Sequence, residues 1–354
     1  MNNTGSEAGL ASARDHSNQI RSQVPAVGKS RPYIPQDQLM GDEPDLALAA
    51  DILELTALLL PGNQAQVADL VSDLEIGQDE YEDPDEIVRR DSLMNDTAAE
   101  LESRAYVLGE AYPFVLSSNG ATVQFNEGPN WGRTLYVLSL ILSHLPPCPV
   151  LERANLAPNQ NDIVKLRRWF QYCAAASIAG EIVGNAWAFG WPRPDGRAFL
   201  QKLQEIWESL KDGDVIEAPS EGSPEQVKDD GIDIIAARPS CDERQGFPII
   251  LGQVASGQNW REKSIRCHAE HVFYQKWFRV PPASQTLVYH IVPFVVEPDI
   301  FQLETRRLGH LMHRVRLCRR AWEACNAESQ AVHMQIEGTE SFHDVDCWVS
   351  EYRS

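Results

Sequence analysis

Basic residues are the scarce class in this chain. Its 31 Lys and Arg face 51 Asp and Glu, leaving a formal charge of −20 over 354 residues. That balance argues against a non-specific coat for nucleic acid, which is usually basic. It does not exclude a nuclease, because a groove can carry a local field opposite in sign to the whole protein. Long apolar runs are missing too: no stretch of about 18 apolar residues occurs, so no membrane span is expected. The first forty residues lack the apolar segment of a signal peptide and are rich in Ser, Asn, Gln and Pro, which predicts a disordered tail over 1–40. No C-x-x-C pair occurs among the seven cysteines. An odd count with no leader points to reduced thiols and a cytoplasmic location. Cys267, His268 and His271 have no second cluster at zinc-like spacing and read as helix-surface residues. G-x-S-x-G, H-E-x-x-H and the Gly-rich P-loop are absent, which argues against the hydrolase classes they mark.

What is present divides the chain. Residues 44–60 read as an apolar helix ended by Pro61-Gly62, 64–74 as a short helix, and 92–111 as a longer one. Asn119-Gly120 predicts a hairpin turn within 112–125. Residues 131–145 form an apolar helix, and 149–159 a linker. These give a mainly helical N-terminal domain, 41–150. The second part, 161–325, opens with a long helix over 161–183, followed by a Trp- and Pro-dense loop over 187–196 and an amphipathic helix over 197–210. A strand is possible at 214–218. Two short strands flank a polar turn between Asp229 and Ala255, and a helix covers 260–277. A buried strand over 286–296 contains Pro293, which implies an edge or a bulge. The last long helix spans 299–323, and 326–354 reads as a polar C-terminal tail. Charge is uneven: 73–91 is densely acidic, whereas 306–320 holds six arginines and no acid. The acidic run reads first as a solvated face and second as a docking surface for a basic protein partner.

The segment DDGIDIIAARPSCDERQGFPIILGQVASGQNWREK (229–263) carries the chemistry. Asp233 sits among Ile232, Ile234 and Ile235, where a carboxylate is costly unless it meets water, a partner or a metal. Gln253 sits at the end of the next strand. A carboxylate and a side-chain oxygen on neighbouring strands can hold a hard cation. This arrangement resembles the core of the PD-(D/E)xK nuclease superfamily in its variant with Gln as the second metal-binding residue. The resemblance covers roughly 161–325.

It implies an α/β fold with a restriction-endonuclease-like αβββαβ core, and a Mg²⁺ or Mn²⁺ cofactor held by Asp233, the Gln253 amide oxygen and the Val254 main-chain carbonyl. It further implies metal-dependent hydrolysis of DNA phosphodiester bonds, with a role in bacterial defence against foreign DNA. The family's Lys two residues after the second ligand is Ala255 here. Lys263 or Arg261, on the following helix, can reach in from another backbone position; the metal can act without them; or the site no longer cleaves. That last case implies a degenerate nuclease fold acting as a binding or scaffold subunit of a multi-protein defence complex. Glu181, on the first core helix, stands where related nucleases place an acid, against an equal expectation of an ordinary exposed Glu. Gly180 beside it permits close backbone approach. Asp230 is a secondary metal candidate. Arg261, Arg314 and Arg316 are candidates for the phosphate backbone, the alternative for the Arg-rich helix being pairing with the acidic N-terminal half. Trp260 reads as a core anchor before a base-stacking platform.

Overall fold

A computed structural model describes residues 31–41, 43–72, 84–219, 227–329 and 333–354. In chain order the first part contains α1 (Gln36–Leu39), α2 (Leu46–Leu59), β1 (Gln64–Gln66), α3 (Asp69–Ser72), α4 (Pro84–Leu108), β2 (Phe114–Leu116), β3 (Thr122–Phe125), α5 (Trp131–Ser143) and α6 (Pro149–Glu152). The second part contains α7 (Gln160–Ile182), β4 (Asn185–Ala188), α8 (Phe199–Leu210), β5 (Asp214–Val215), β6 (Ile234–Ala237), β7 (Ile249–Val254), α9 (Arg266–His271), α10 (Phe273–Trp277), β8 (Phe278–Val280), β9 (Thr286–Ile291), α11 (Pro298–Leu308), β10 (His310–Met312), α12 (Arg314–Ser329) and α13 (Glu340–Arg353). The protein is mixed α/β.

The central sheet has the order β10-β9-β7-β6-β4. β4 pairs antiparallel with β6, and β6 antiparallel with β7. β7 and β9 run parallel, as do β9 and β10. Helices make the crossovers that parallel pairing requires. Alternate residues face two helical layers. Ile234, Ala236, Ile250 and Ile291 pack with α2, α5, α7 and α12, so one apolar core runs from the N-terminal helices to the sheet. Ile235, Leu251 and Val288 pack against α8, α9 and α10 on the other side.

Local chemistry starts several helices. Asp45 caps α2 through Leu48 N at 2.8 Å, Asn130 caps α5, and Asn159 caps α7 through Asp162 N at 3.0 Å. α12 lies against both α5 and α7. A Cβ at Gly180 would overlap the Arg320 carbonyl, so this glycine serves helix packing. Under these helices Asp51 meets Arg314 twice, at 2.7 and 2.8 Å, Arg104 at 2.7 Å and His144 at 2.8 Å. Burial raises the Asp51 carboxyl, but Arg314 and Arg104 outweigh it and hold the group well below the usual carboxylate range. Tyr112 and Tyr136 donate to the neighbouring Glu54, which burial raises.

Several elements depart from the sequence expectation. The hairpin around Asn119-Gly120 is present, but 64–66 is a third strand of its sheet rather than a helix. Residues 185–188, including two placed in a loop, form the edge strand β4. Ala and Asn have weak strand preference, and pairing with β6 overrides it. The strand at 214–215 joins β8 in a separate pair, outside the main sheet. The helix over 260–277 is a 3-10 turn (Trp260–Glu262) and two short helices, broken at the β-branched Val272. Gly309, at φ +100°, ends α11 and admits β10 before α12, so 299–323 is not one helix. The polar tail contains α13, whose Phe342, Val345, Trp348 and Val349 are buried; Phe342 stacks on Trp131. Its many polar residues hide that stripe. Of the expected disordered tail, 36–39 form α1 with Leu39 buried, and 1–30 lie outside the described residues, as do 73–83 of the acidic run and 220–226 of the polar loop.

Candidate metal centre

Asp233 immediately precedes β6 and Gln253 lies near the end of β7. Asp233 N donates to Gly252 O at 2.8 Å, which sets the register. Asp233 Oδ2 then accepts from Val254 N at 2.8 Å and from Gln253 Nε2 at 2.7 Å. The side chain is buried. Burial pushes its carboxyl up to about 7; the Val254 N–H opposes this, Asp229 adds to it, and the Lys263 charge lowers it. The carboxylate therefore sits where loss of its proton is poised near neutrality.

The other oxygen, Oδ1, faces Gly190, just past β4. A Cβ at Gly190 would collide with both Asp233 Oδ1 and Gln171 Nε2. Glycine thus leaves a small cradle between them. Gln171 comes from α7, and its Nε2 has no hydrogen-bond partner among the described residues. Half a turn of that amide presents Oε1 to the same space. The sequence reading does not name Gln171; its signal is the uncharged amide side chain just before the largely apolar stretch Cys173–Ala179 of α7.

Lys263 follows the 3-10 turn after β7. It lines a cavity of about 390 Å³ with Arg167 of α7 and the loop Ser256-Gly257-Gln258-Asn259. Of these two cations, Lys263 acts on the Asp233 carboxyl. Ala255 is fully buried with Trp260, Val292, Val296, Leu308 and Leu311. Trp260 is thus a core residue. His290 of β9 lies directly across from Gln253 in the register. It is fully buried and faces the Trp260 backbone. Burial lowers it to about 4, so the ring is neutral at neutral pH. A histidine inside the apolar run VYHIV was its sequence signal.

Other candidates fall elsewhere. Glu181 pairs with Arg320 at 2.5 Å and accepts from Tyr289 Oη at 3.3 Å. It lies about 15 Å along α7 from Gln171 at the helical rise per residue. It lines a separate cavity with Arg316, which sits over the Phe301 ring. Arg314 is fully buried on Asp51, Ser143 and Pro293 O, out of reach of any nucleic acid. Arg261 bonds Glu304 at 2.7 Å and covers Trp260. Asp230 is taken by Lys276, His268 and Trp277 Nε1. The buried pairing of Arg314 joins the arginine-rich segment to the N-terminal half from within.

The chain matches no family model, no curated protein and no solved structure. Among the described residues no group of three or more His, Cys, Asp or Glu is arranged for a metal. As placed, Gln253 and Gln171 both turn Nε2 toward Asp233 and Val254 meets it through its N–H; a hard cation would need both amides turned over, so that their oxygens join the carboxylate and the Val254 carbonyl. Mg²⁺ commonly keeps several waters and takes one or two carboxylates. No helix of the described residues is long and apolar enough to cross a membrane.

Proposed function

We propose that the sheet and its helices are a restriction-endonuclease-like core, and that the protein is a metal-dependent nuclease acting on DNA, in defence against foreign DNA. The observation that carries this reading is the convergence of Asp233, Gln253 and Val254 at the ends of β6 and β7, beside the Gly190 cradle. The pairing of two antiparallel steps followed by a parallel one supports the fold. Asp233 and Gln253 would hold Mg²⁺ or Mn²⁺, with Val254 O and Gln171 completing the protein's share. The ion supplies Lewis-acid polarisation of the phosphate and activation of water. Lys263 takes the place of the Lys missing at 255, countering charge on the phosphate, while Arg167 holds the DNA backbone. Asp233 binds once it has lost its proton.

Incubation of supercoiled plasmid with the protein tests this. Nicking is expected with Mg²⁺ or Mn²⁺, none in a chelator, and loss in Asp233→Ala. Cleavage at wild-type rate by Asp233→Ala removes Asp233 from the mechanism.

A second reading rests on Ala255, whose burial leaves no room for a lysine at that backbone position. In it the fold is a binding or scaffold subunit of a defence complex, docked to a basic partner through the acidic N-terminal half. Plasmid left intact with either ion, together with a stable complex with such a partner, is its signature.

A further inference from the structure

Apart from the metal centre, the connection between α5 and α6 brings a thiol and an imidazole together, against a carboxylate of α2. Cys148 Sγ lies 3.5 Å from His144 Nδ1, and His144 Nε2 lies 2.8 Å from Asp51 Oδ2. Asp51 is ionised by its arginines, so it accepts and His144 Nε2 donates. That fixes the tautomer. In the neutral ring the lone pair is on Nδ1, aimed at the thiol. A nucleophile, a base and a group orienting the base is the arrangement that activates cysteine.

The thiol is reachable. His144 is buried, but Cys148 is only partly so, and it lines a cavity of about 320 Å³ with Leu48, Trp260, Phe294 and Ile300. The charged groups around that cavity are Asp45 and Asp51 from α2, Glu297, Arg261 and Arg314. Arg104 of α4 stands behind Asp51. Burial disfavours the charged form of His144, yet the Asp51 hydrogen bond and Cys148 bring it up to about 9, so at neutral pH the ring keeps the proton that it takes from the thiol. Burial likewise opposes the thiolate, and the His144 hydrogen bond outweighs it and lowers Cys148.

We propose that Cys148 is a nucleophilic thiol-modification site whose substrates are low-molecular-weight disulfides, with His144 as its base and Asp51 as the positioning residue. His144 Nδ1 takes the thiol proton. The Cys148 thiolate attacks one sulfur of the disulfide, whose S–S bond breaks. The departing thiolate takes the proton from His144. The products are a mixed disulfide on Cys148 and one free thiol, with no other oxidant consumed.

The test exposes the reduced full-length protein to 2-hydroxyethyl disulfide across a pH series and follows each cysteine by peptide mass spectrometry. Cys241 and Cys267, both exposed, are internal references. At neutral pH Cys148 is expected to react at least ~10-fold faster than either, with its pH midpoint below theirs. His144→Gln is expected to bring Cys148 to the reference rate or below. A Cys148 rate and midpoint no better than those of Cys241 and Cys267 in the unmodified protein overturns the proposal, whether or not the His144 variant folds.

Discussion

Asp233 holds its proton to about 7 because burial costs its charged form more than one backbone N–H and Lys263 return. The consequence for stability has a definite sign. An unfolded Asp loses its proton near pH 4. Between about 4 and about 7 the folded state binds more protons than the unfolded state, so stability falls as pH rises through that window. Asp233→Asn is expected to remove this fall. Thermal unfolding in a chelator checks it: the variant's midpoint relative to wild type should climb from the acid end of the window to the neutral end. A constant difference contradicts the burial argument. The residue itself was legible, because a lone carboxylate among isoleucines calls for a partner. Gln253 was legible as that partner through strand spacing. Gln171, Gly190 and His290 were not: each reaches the site through tertiary placement that no local pattern encodes. For the arginine-rich run the phosphate-backbone expectation fails at Arg314, which is fully buried on Asp51, and the alternative of pairing with the N-terminal half is the one it meets.

α7 decides which of its side chains serve the site. It carries Gln171 beside the cradle, while Glu181, nearly three turns on, lies under Arg320. The nuclease resemblance implies an acid from this helix, whereas the residue beside the Gly190 cradle is the amide Gln171. If the nuclease reading holds, Gln171→Leu is expected to slow cleavage by about 10-fold, roughly 1.4 kcal/mol in the barrier. Glu181→Gln is expected to leave it within about 2-fold, a few tenths of a kcal/mol. Rates of plasmid nicking at saturating Mg²⁺ check the pair; the reverse order would return Glu181 to the site. Long periodic helices and the Asn-Gly hairpin were readable because capping and turn chemistry act locally. Short elements were not. β4 is held by its ladder with β6, and α13 by stacking of Phe342 on Trp131.

The molecule is held together by a core that continues from the N-terminal helices into the sheet, with a buried ionic cluster between α2, α4, α5 and α12. Such clusters add little net stability when whole, but removing one partner leaves a charge uncompensated. Arg314→Met is expected to cost about 3 kcal/mol or more, read from denaturant unfolding. A loss below about 1 kcal/mol contradicts that role, since exposed pairs contribute at that level. The same cluster fixes the base beside Cys148, so packing and thiol chemistry share Asp51. The proposed activity depends on an ion between β6, β7 and α7. Crystals soaked in Mn²⁺ and measured for anomalous scattering test that most directly. Expected is a peak within coordination reach of Asp233 Oδ1 that vanishes in Asp233→Asn. No peak there, in crystals where the cradle is open to solvent, contradicts it.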